Sequence, residues 1–307
     1  MSIYYGVKYI QSEKNLLKRK IIFFILRFSF IPFLIRETLQ RHKVSILVYH
    51  DISPEIADKH ISVLKKYYTL ISLTDFLESR KSGTLSALPP KSLVITFDDG
   101  HESNYSLKPI IEKHRIPVVI FLCAGIVGTN RHFWFRHDTS YEIESLKLIR
   151  DEQRLKILEN LGFDEIKEYD YPQALTKEEV QDLSQNPFFS LQSHSITHPC
   201  LPQCSPDKSY YEIFHSKKDL ESNYSLNIYA FAYPNGNYSD REIAFVEKAG
   251  YTCALTCDPG FNGAATPLFT LKRSEMNYNS DINELLVRAS GLWVCIQRLL
   301  IQRLPFK

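Results

Sequence analysis

The stretch SLVITFDDG, Ser92–Gly100, is a run of strand-forming residues that ends in two adjacent carboxylates and a glycine. Uncharged runs rich in Val, Ile, Phe and Thr read as strands buried on both faces, the habit of a parallel sheet. Two like charges at the end of such a strand are unfavourable unless water solvates them or a cation or proton lies between them. Asp-Asp-Gly is by itself a turn-forming sequence. After a buried strand, however, it stands where α/β folds present catalytic groups. Alternation along the strand sends the two carboxylates in different directions, which allows them different tasks.

Working outward, similar runs recur: SILVY (45–49), PVVIFLC (117–123), FFSLQS (188–193), NIYAFAY (227–233), TCALT (252–256) and LFTLK (268–272). Segments with helical character lie between them. HESNYSLKPIIEKHRI (101–116) places apolar residues at helical spacing. LTKEEVQDL (175–183) carries Thr176 with Glu179 three residues on, and YSDREIAFVEKAG (238–250) has a Ser cap and a terminal Gly. Strand and helix alternate about seven times, the pattern of a β/α barrel, with a doubly wound sheet as the alternative. Residues 130–175 are too long for one ordinary connection and read as a helical insertion. The expected organisation is a basic and apolar helical segment at 1–43, one main domain at 44–280, and a C-terminal amphipathic helix or helix pair at 281–307.

A chain of 307 residues, 44% hydrophobic and 23% charged, has the proportions of a soluble globular protein. Lys+Arg of 37 against Asp+Glu of 35 leaves a net charge of +2, which gives no electrostatic reason to expect a nucleic-acid partner. Cys123, Cys200, Cys204, Cys253, Cys257 and Cys295 include no CxxC pair, and they read as free thiols in a reducing compartment. Near the N-terminus, KNLLKRK (14–20) precedes IIFFILRFSFIPFLI (21–35), which Arg27 and Pro32 interrupt. This falls short of the roughly 20 apolar residues of a spanning helix. No small-residue cleavage site of a signal peptide follows. An interfacial helix on a lipid surface and a helix packed on the domain both fit. The same two readings hold for the C-terminal helix. The localisation expected from these features is cytoplasmic, peripheral on the inner membrane if an interfacial helix is realised.

The second chemical element is SLQSHSITHPCL (190–201). His194 and His198 stand four apart, but Pro199 pushes His198 away from helical backbone, so the pair belongs on a turn leaving the strand. Two neutral imidazoles and one carboxylate make a three-ligand set for a borderline divalent ion.

TFDDG followed by HSITHP resembles the polysaccharide deacetylase family with the NodB homology domain, the carbohydrate esterases of family four. LVYHDIS, FWF, YEIFHSKKDLE, FAYPNG, AGYTCALT and LKR extend the resemblance in order from residue 44 to 275. It implies a distorted (β/α)7 barrel and removal of N-acetyl groups from an amino sugar in a polysaccharide, oligosaccharide or lipid-linked glycan, with the capsule and exopolysaccharide branch most similar. It further implies Asp98 as catalytic base and Asp99, His194 and His198 as ligands of one divalent ion. Zn2+ comes first, with Ni2+, Co2+ and Fe2+ open. The ion would lower the pKa of water and polarise the carbonyl. The loop Tyr233, Pro234 and Asn235 is implied to line the oxyanion and substrate pocket, with the Asn235 amide as donor.

The sequence departs from the family at two places. Many members place an Arg two residues before the Pro of that loop, where this chain has Ala232, and many carry an acid His near the C-terminus, where this chain has no histidine after His215. The resemblance to a branch with a YH motif implies His50 as the acid that protonates the leaving amine. His50 as a buried structural residue is the alternative. For the whole chain, the alternatives are a noncatalytic glycan-binding module on the same scaffold and a deformylase acting on an N-formyl sugar. Trp134 fits either a sugar platform or a core cover. His132 and His137 read as loop residues, and Ser195 as a residue that shapes the ligand turn.

Overall fold

The computed structural model describes residues 13–277 and 279–301. The outermost parts of both terminal extensions, residues 1–12 and 302–307, lie outside the described residues. Helices α1 (Glu13–Phe28) and α2 (Ile31–Glu37) precede β1 (Ser45–Tyr49). Then α3 (Pro54–Tyr67) leads to a short β2 (Thr69–Leu70), α4 (Leu73–Lys81) to β3 (Ser92–Phe97), and α5 (Lys108–His114) to β4 (Val118–Leu122). The expected insertion contains α6 (Ile143–Leu146) and α7 (Asp151–Glu159), and α8 (Lys177–Ser184) follows it into β5 (Phe189–Ser193). The rest of the chain is α9 (Pro206–Tyr224), β6 (Ala230–Ala232), α10 (Asp240–Lys248), β7 (Cys253–Leu255), β8 (Ser274–Glu275), α11 (Ile282–Ala289) and α12 (Leu292–Ile301). Of two helix starts expected from sequence, Thr176 with Glu179 forms a capping box, and at Ser239 the Glu242 carboxylate accepts from the Ser239 N–H at 3.1 Å, each satisfying a backbone N–H that has no partner inside the helix.

All the strand pairs are parallel, in the order β7-β6-β5-β4-β3-β1-β8, with β2 against the first residues of β3. Ser45–Tyr49 lies opposite Leu93–Phe97, and Val118–Leu122 opposite Phe189–Ser193. The sheet curls until its edges meet. Leu271 N–H donates to Ala254 O at 2.9 Å, and five residues later Met276 N–H donates to Val48 O at 2.9 Å, so this one segment leaves β7 and joins β1. LFTLK is therefore not a strand as read from sequence. Leu268–Thr270 is a 3-10 turn and the strand falls at Ser274–Glu275, because the chain must cross from one edge to the other.

The period of two sorts the core into two layers. Leu93, Ile95 and Phe97 of β3 pack with the helices, whereas Val94 packs with Val119, Phe121 and Leu271 inside the curl. Asp98 continues the inner series. The C-terminal extension divides in two at Gly291, whose φ of 76° suits glycine and where a Cβ would lie 2.3 Å from the Phe261 ring. α1 packs on α11, with Phe23, Val287 and Leu292 buried between them and α12.

Candidate active site

β3 ends where Asp98 N–H donates to Tyr49 O at 2.9 Å, and the chain then turns sharply. Asp99 has φ 74° and Gly100 φ 67°. At Gly100 a Cβ would meet Leu122 Cδ2 at 2.7 Å, so the glycine is required both for backbone and for space. The turn splits the two carboxylates. Asp98 points inward and accepts from Arg273 twice, Nη1 to Oδ1 at 2.6 Å and Nη2 to Oδ2 at 2.7 Å, with both side chains buried. Asp99 faces the histidines. Its Oδ1 lies 3.5 Å from His194 Nε2 and 3.3 Å from His198 Nε2.

The histidines ride on a turn at the end of β5 rather than on a helix. His194 N–H donates to Leu122 O at 2.8 Å, extending the ladder by one residue. Ser195 and His198 then take φ of 67° and 58°, conformations that cost energy for residues other than glycine. Glu212 of α9 compensates. Its carboxylate accepts from Ile196 N–H at 2.8 Å, Thr197 N–H at 2.9 Å and the Thr197 hydroxyl at 2.7 Å. Ser195 Oγ accepts from His198 N–H at 3.1 Å, and Trp134 Nε1 donates to His198 O at 2.8 Å. Trp134 is thus buried as a prop for the histidine turn, the core-cover alternative of its two readings.

His194 Nδ1 lies 2.8 Å from Ala232 O, which requires the proton on Nδ1 and leaves the Nε2 lone pair directed at Asp99. Asp99 Oδ1, His194 Nε2 and His198 Nε2 are buried and have no hydrogen-bond partner. One ligand atom from each of the three residues falls within 4.8 Å of the others. Tetrahedral bonds of about 2.1 Å place neighbouring ligand atoms roughly 3.4 Å apart, which the two measured separations of 3.5 and 3.3 Å match. Three orphaned buried groups at that spacing fit a divalent ion.

The electrostatics agree. Burial pushes Asp98 up, but the Arg273 guanidinium more than offsets it and holds the carboxyl below its usual range. Burial likewise opposes ionisation of Asp99; protonated imidazoles at His194, His198 and His50 would offset it, and with the imidazoles neutral a bound cation would take their place. Burial drives His198 down to about 3, so its imidazole is neutral and able to ligate near pH 7. Glu212 is raised by burial in spite of the three hydrogen bonds it accepts.

His50 follows β1 directly, and the register that sets Tyr49 opposite Phe97 brings it to the strand end next to that of Asp98, where its carbonyl accepts from Asn104 Nδ2 at 2.9 Å. The YPNG loop divides in its roles. Tyr233 is spent on the core, its amide donating to Leu255 O at 3.0 Å and its hydroxyl to Phe269 O at 3.2 Å, and Pro234 is buried beside it. Asn235 sits at φ 56°, and its side chain donates to Cys200 Sγ at 3.5 Å, two residues from His198. Its own amide has no acceptor among the described residues. His132 and His137 contact Tyr171 O and Leu161 O, within the insertion. All six cysteines are free.

Two residues of the site carried no role in the sequence reading. Whereas Ala232 has no side chain that could reach Asp98, Arg273 does so from the last segment of the barrel. Its signal was the LKR match. Glu212 lies in YEIFHSKKDLE, and its signal was a carboxylate next to the buried face, Ser209, Ile213 and Ser216, of a long helix.

Comparison with known proteins gives one answer. A family model described as polysaccharide deacetylase matches residues 86–254, more than half of the chain. The poly-beta-1,6-N-acetyl-D-glucosamine N-deacetylase of Staphylococcus aureus is 24% identical over 203 residues, which cover 66% of this chain and 59% of that protein. The chain spans only about half to three fifths of the length of the curated relatives it matches. Among solved structures, the Streptococcus pyogenes deacetylase PplD, in complex with acetate, superposes with a TM-score of 0.60 at 22% identity, covering 80% of this chain and 98% of that one. IcaB from Ammonifex degensii gives 0.59 at 16%, covering 81% and 97%. These two likenesses establish the fold, a NodB-like curled barrel.

Proposed function

This chain belongs to the polysaccharide deacetylase family, and from that premise we propose that it hydrolyses the N-acetyl group of an amino sugar in a glycan. The observation that carries the reading is the division of labour in the DDG turn: Asp98 gripped by Arg273, Asp99 turned to His194 and His198. An acetamide carbonyl resists neutral water, so a base must take a proton as the water attacks. Asp98 is suited to that, because Arg273 keeps it ionised and fixes its orientation. A divalent ion held by Asp99, His194 and His198, zinc by preference, would lower the pKa of water and polarise the carbonyl. The free Asn235 amide is the donor for the developing oxyanion. His50, at the neighbouring strand end, gives the departing nitrogen its proton, since an amide anion cannot leave unprotonated. An N-acetylglucosamine polymer or oligosaccharide is the substrate supported by the staphylococcal relative.

The test is to assay the metal-loaded protein on N-acetylglucosamine oligomers and on an N-formyl sugar, following acetate and formate separately. Acetate release that is lost in Asp98→Asn with the metal retained is the expected result. Formate alone would make the protein a deformylase, and glycan binding without either product would make it a binding module.

A further inference from the structure

Most of the large apolar side chains left exposed among the described residues lie between Leu17 and Leu39. A soluble surface scatters such residues singly. The cause is that α1 is built inside out. Its inner face carries two arginines around one aromatic: Arg19 Nη2 donates to Glu284 Oε1 at 2.7 Å, Arg27 Nη1 donates to Asn283 Oδ1 at 2.8 Å, and Phe23 is buried with its ring 4.9 Å from that of Trp293. The outer face repeats Leu17, Ile21, Phe24, Ile25 and Phe28 at the spacing of one helical stripe, each 49% to 61% exposed. A helix that packs on a core and faces water has the opposite arrangement.

The connection to α2 prolongs this surface. Phe30, at φ 62° and 76% exposed, forms the tip between the helices, a conformation disfavoured for an aromatic residue. Ile31 and Leu34 stay exposed one turn apart, while Pro32 and Ile35 turn inward. Charge rims the patch. Lys18 and Lys20 flank α1, and Arg41, His42 and Lys43 follow α2, all exposed. Between Leu16 and Lys43 the sole carboxylate is Glu37, and it is already engaged by Arg36 at 3.1 Å and Lys91 at 3.2 Å.

We propose that the α1–α2 pair is a membrane-docking surface that lies in the interface of an anionic bilayer. Its apolar stripe meets the acyl boundary, and Lys18, Lys20, Arg41 and Lys43 meet the head groups. No helix of the described residues is long and apolar enough to cross a membrane, so the pair lies on the bilayer rather than through it. Charge favours lipid over a second copy, because a two-fold contact through this face would bring the basic rims against each other. The surface is also remote from the chemistry. Lys91 N–H donates to Arg41 O at 3.0 Å, tying the end of α2 to the start of β3, whereas Asp98 and Asp99 follow the other end of that strand. Docking therefore leaves the catalytic end of the barrel directed away from the lipid. The proposal does not depend on the deacetylase reading.

The test uses the full chain and sucrose-loaded vesicles of phosphatidylcholine, with and without phosphatidylglycerol. The protein co-sediments with the anionic vesicles, and added salt weakens the binding. Ile25→Glu/Phe28→Glu lowers partitioning at least about tenfold with an unchanged near-UV spectrum, since both side chains are exposed. Should that variant unfold, Lys18→Glu/Lys20→Glu carries the test through loss of the preference for phosphatidylglycerol. Failure of the unmodified protein to bind either vesicle overturns the proposal, as does undiminished binding by the variants. A dimer that Ile25→Glu/Phe28→Glu converts to monomer, without vesicle binding, makes the face a self-association surface and overturns it equally.

Discussion

Arg273 and Asp98, 175 residues apart, meet in a two-bond grip of 2.6 and 2.7 Å with neither side chain open to solvent. The pair joins the last segment of the barrel to the end of β3, where the proposed base lies. A fork of parallel N–H donors orients a carboxylate in a way that a lysine cannot. Arg273→Lys therefore lowers kcat by about 100-fold with little change in KM, because the base is misaimed rather than the substrate lost. Arg273→Gln removes the charge that holds Asp98 down. The carboxyl pKa then rises, and the acidic limb of the pH–rate profile moves to higher pH. A limb that stays in place while stability alone falls would leave Arg273 a purely structural role.

Glu212 bears on the proposed metal site from one step away. Without its carboxylate the Ile196 and Thr197 amides lose their acceptor, and the left-handed turn that carries His198 relaxes. Glu212→Ala should weaken metal affinity about 10- to 100-fold, measured by competition with a chromogenic chelator. Affinity equal to the parent protein would show that the turn holds its shape unaided.

His50→Ala separates proton donation from metal binding. Turnover falls by about 100-fold or more, while metal content and the thermal midpoint stay at parental values. Full turnover in this variant would return His50 to a structural reading.

The legibility of this chain follows the range of the interactions. The two strand ends that the structure brings together, Asp98 with Asp99 and His194 with His198, were readable as candidates because each pair is encoded within a few residues and next to a continuous apolar run. Pro199 correctly argued the histidines off a helix, and Thr176 with Glu179 and the Ser cap at Ser239 marked helix starts that the structure realises. Arg273 was not readable as the partner of Asp98, because nothing local in LKR says which strand it will face after the barrel closes. The two-residue strand at Thr69–Leu70 is too short to show a period. LFTLK has strand composition but lies where the chain must change neighbours, and closure of the barrel overrides propensity there. The inner face of α1 was hidden for the same reason, since Arg19 and Arg27 make sense only once α11 is in place.

Acid should loosen that last contact. Glu284 accepts from Arg19, Arg288 and Asn277, and although burial pushes its carboxyl up, Arg19 and Arg288 hold it below its ordinary value of 4.5. A carboxylate with a depressed folded-state pKa contributes stability that is complete above the unfolded value and is lost as pH falls through the folded one. Stability therefore declines below about pH 4.5, and Glu284→Gln removes about 2 kcal/mol near neutrality. Denaturant titrations of both proteins at pH 7 and pH 4 check this. A parental protein no more pH-sensitive than Glu284→Gln in that window would contradict it.

The convergence of Asp99, His194 and His198 on one ion is tested most directly by reconstituting metal-free protein stepwise with zinc and following bound metal and acetate release from an N-acetylglucosamine oligomer in the same samples. The account predicts that the rate rises in proportion to occupancy and levels off at one ion per chain, and that His198→Ala neither retains the ion nor gains activity. Full acetate release from metal-free protein, or an ion held as tightly by His198→Ala as by the parent, would contradict it.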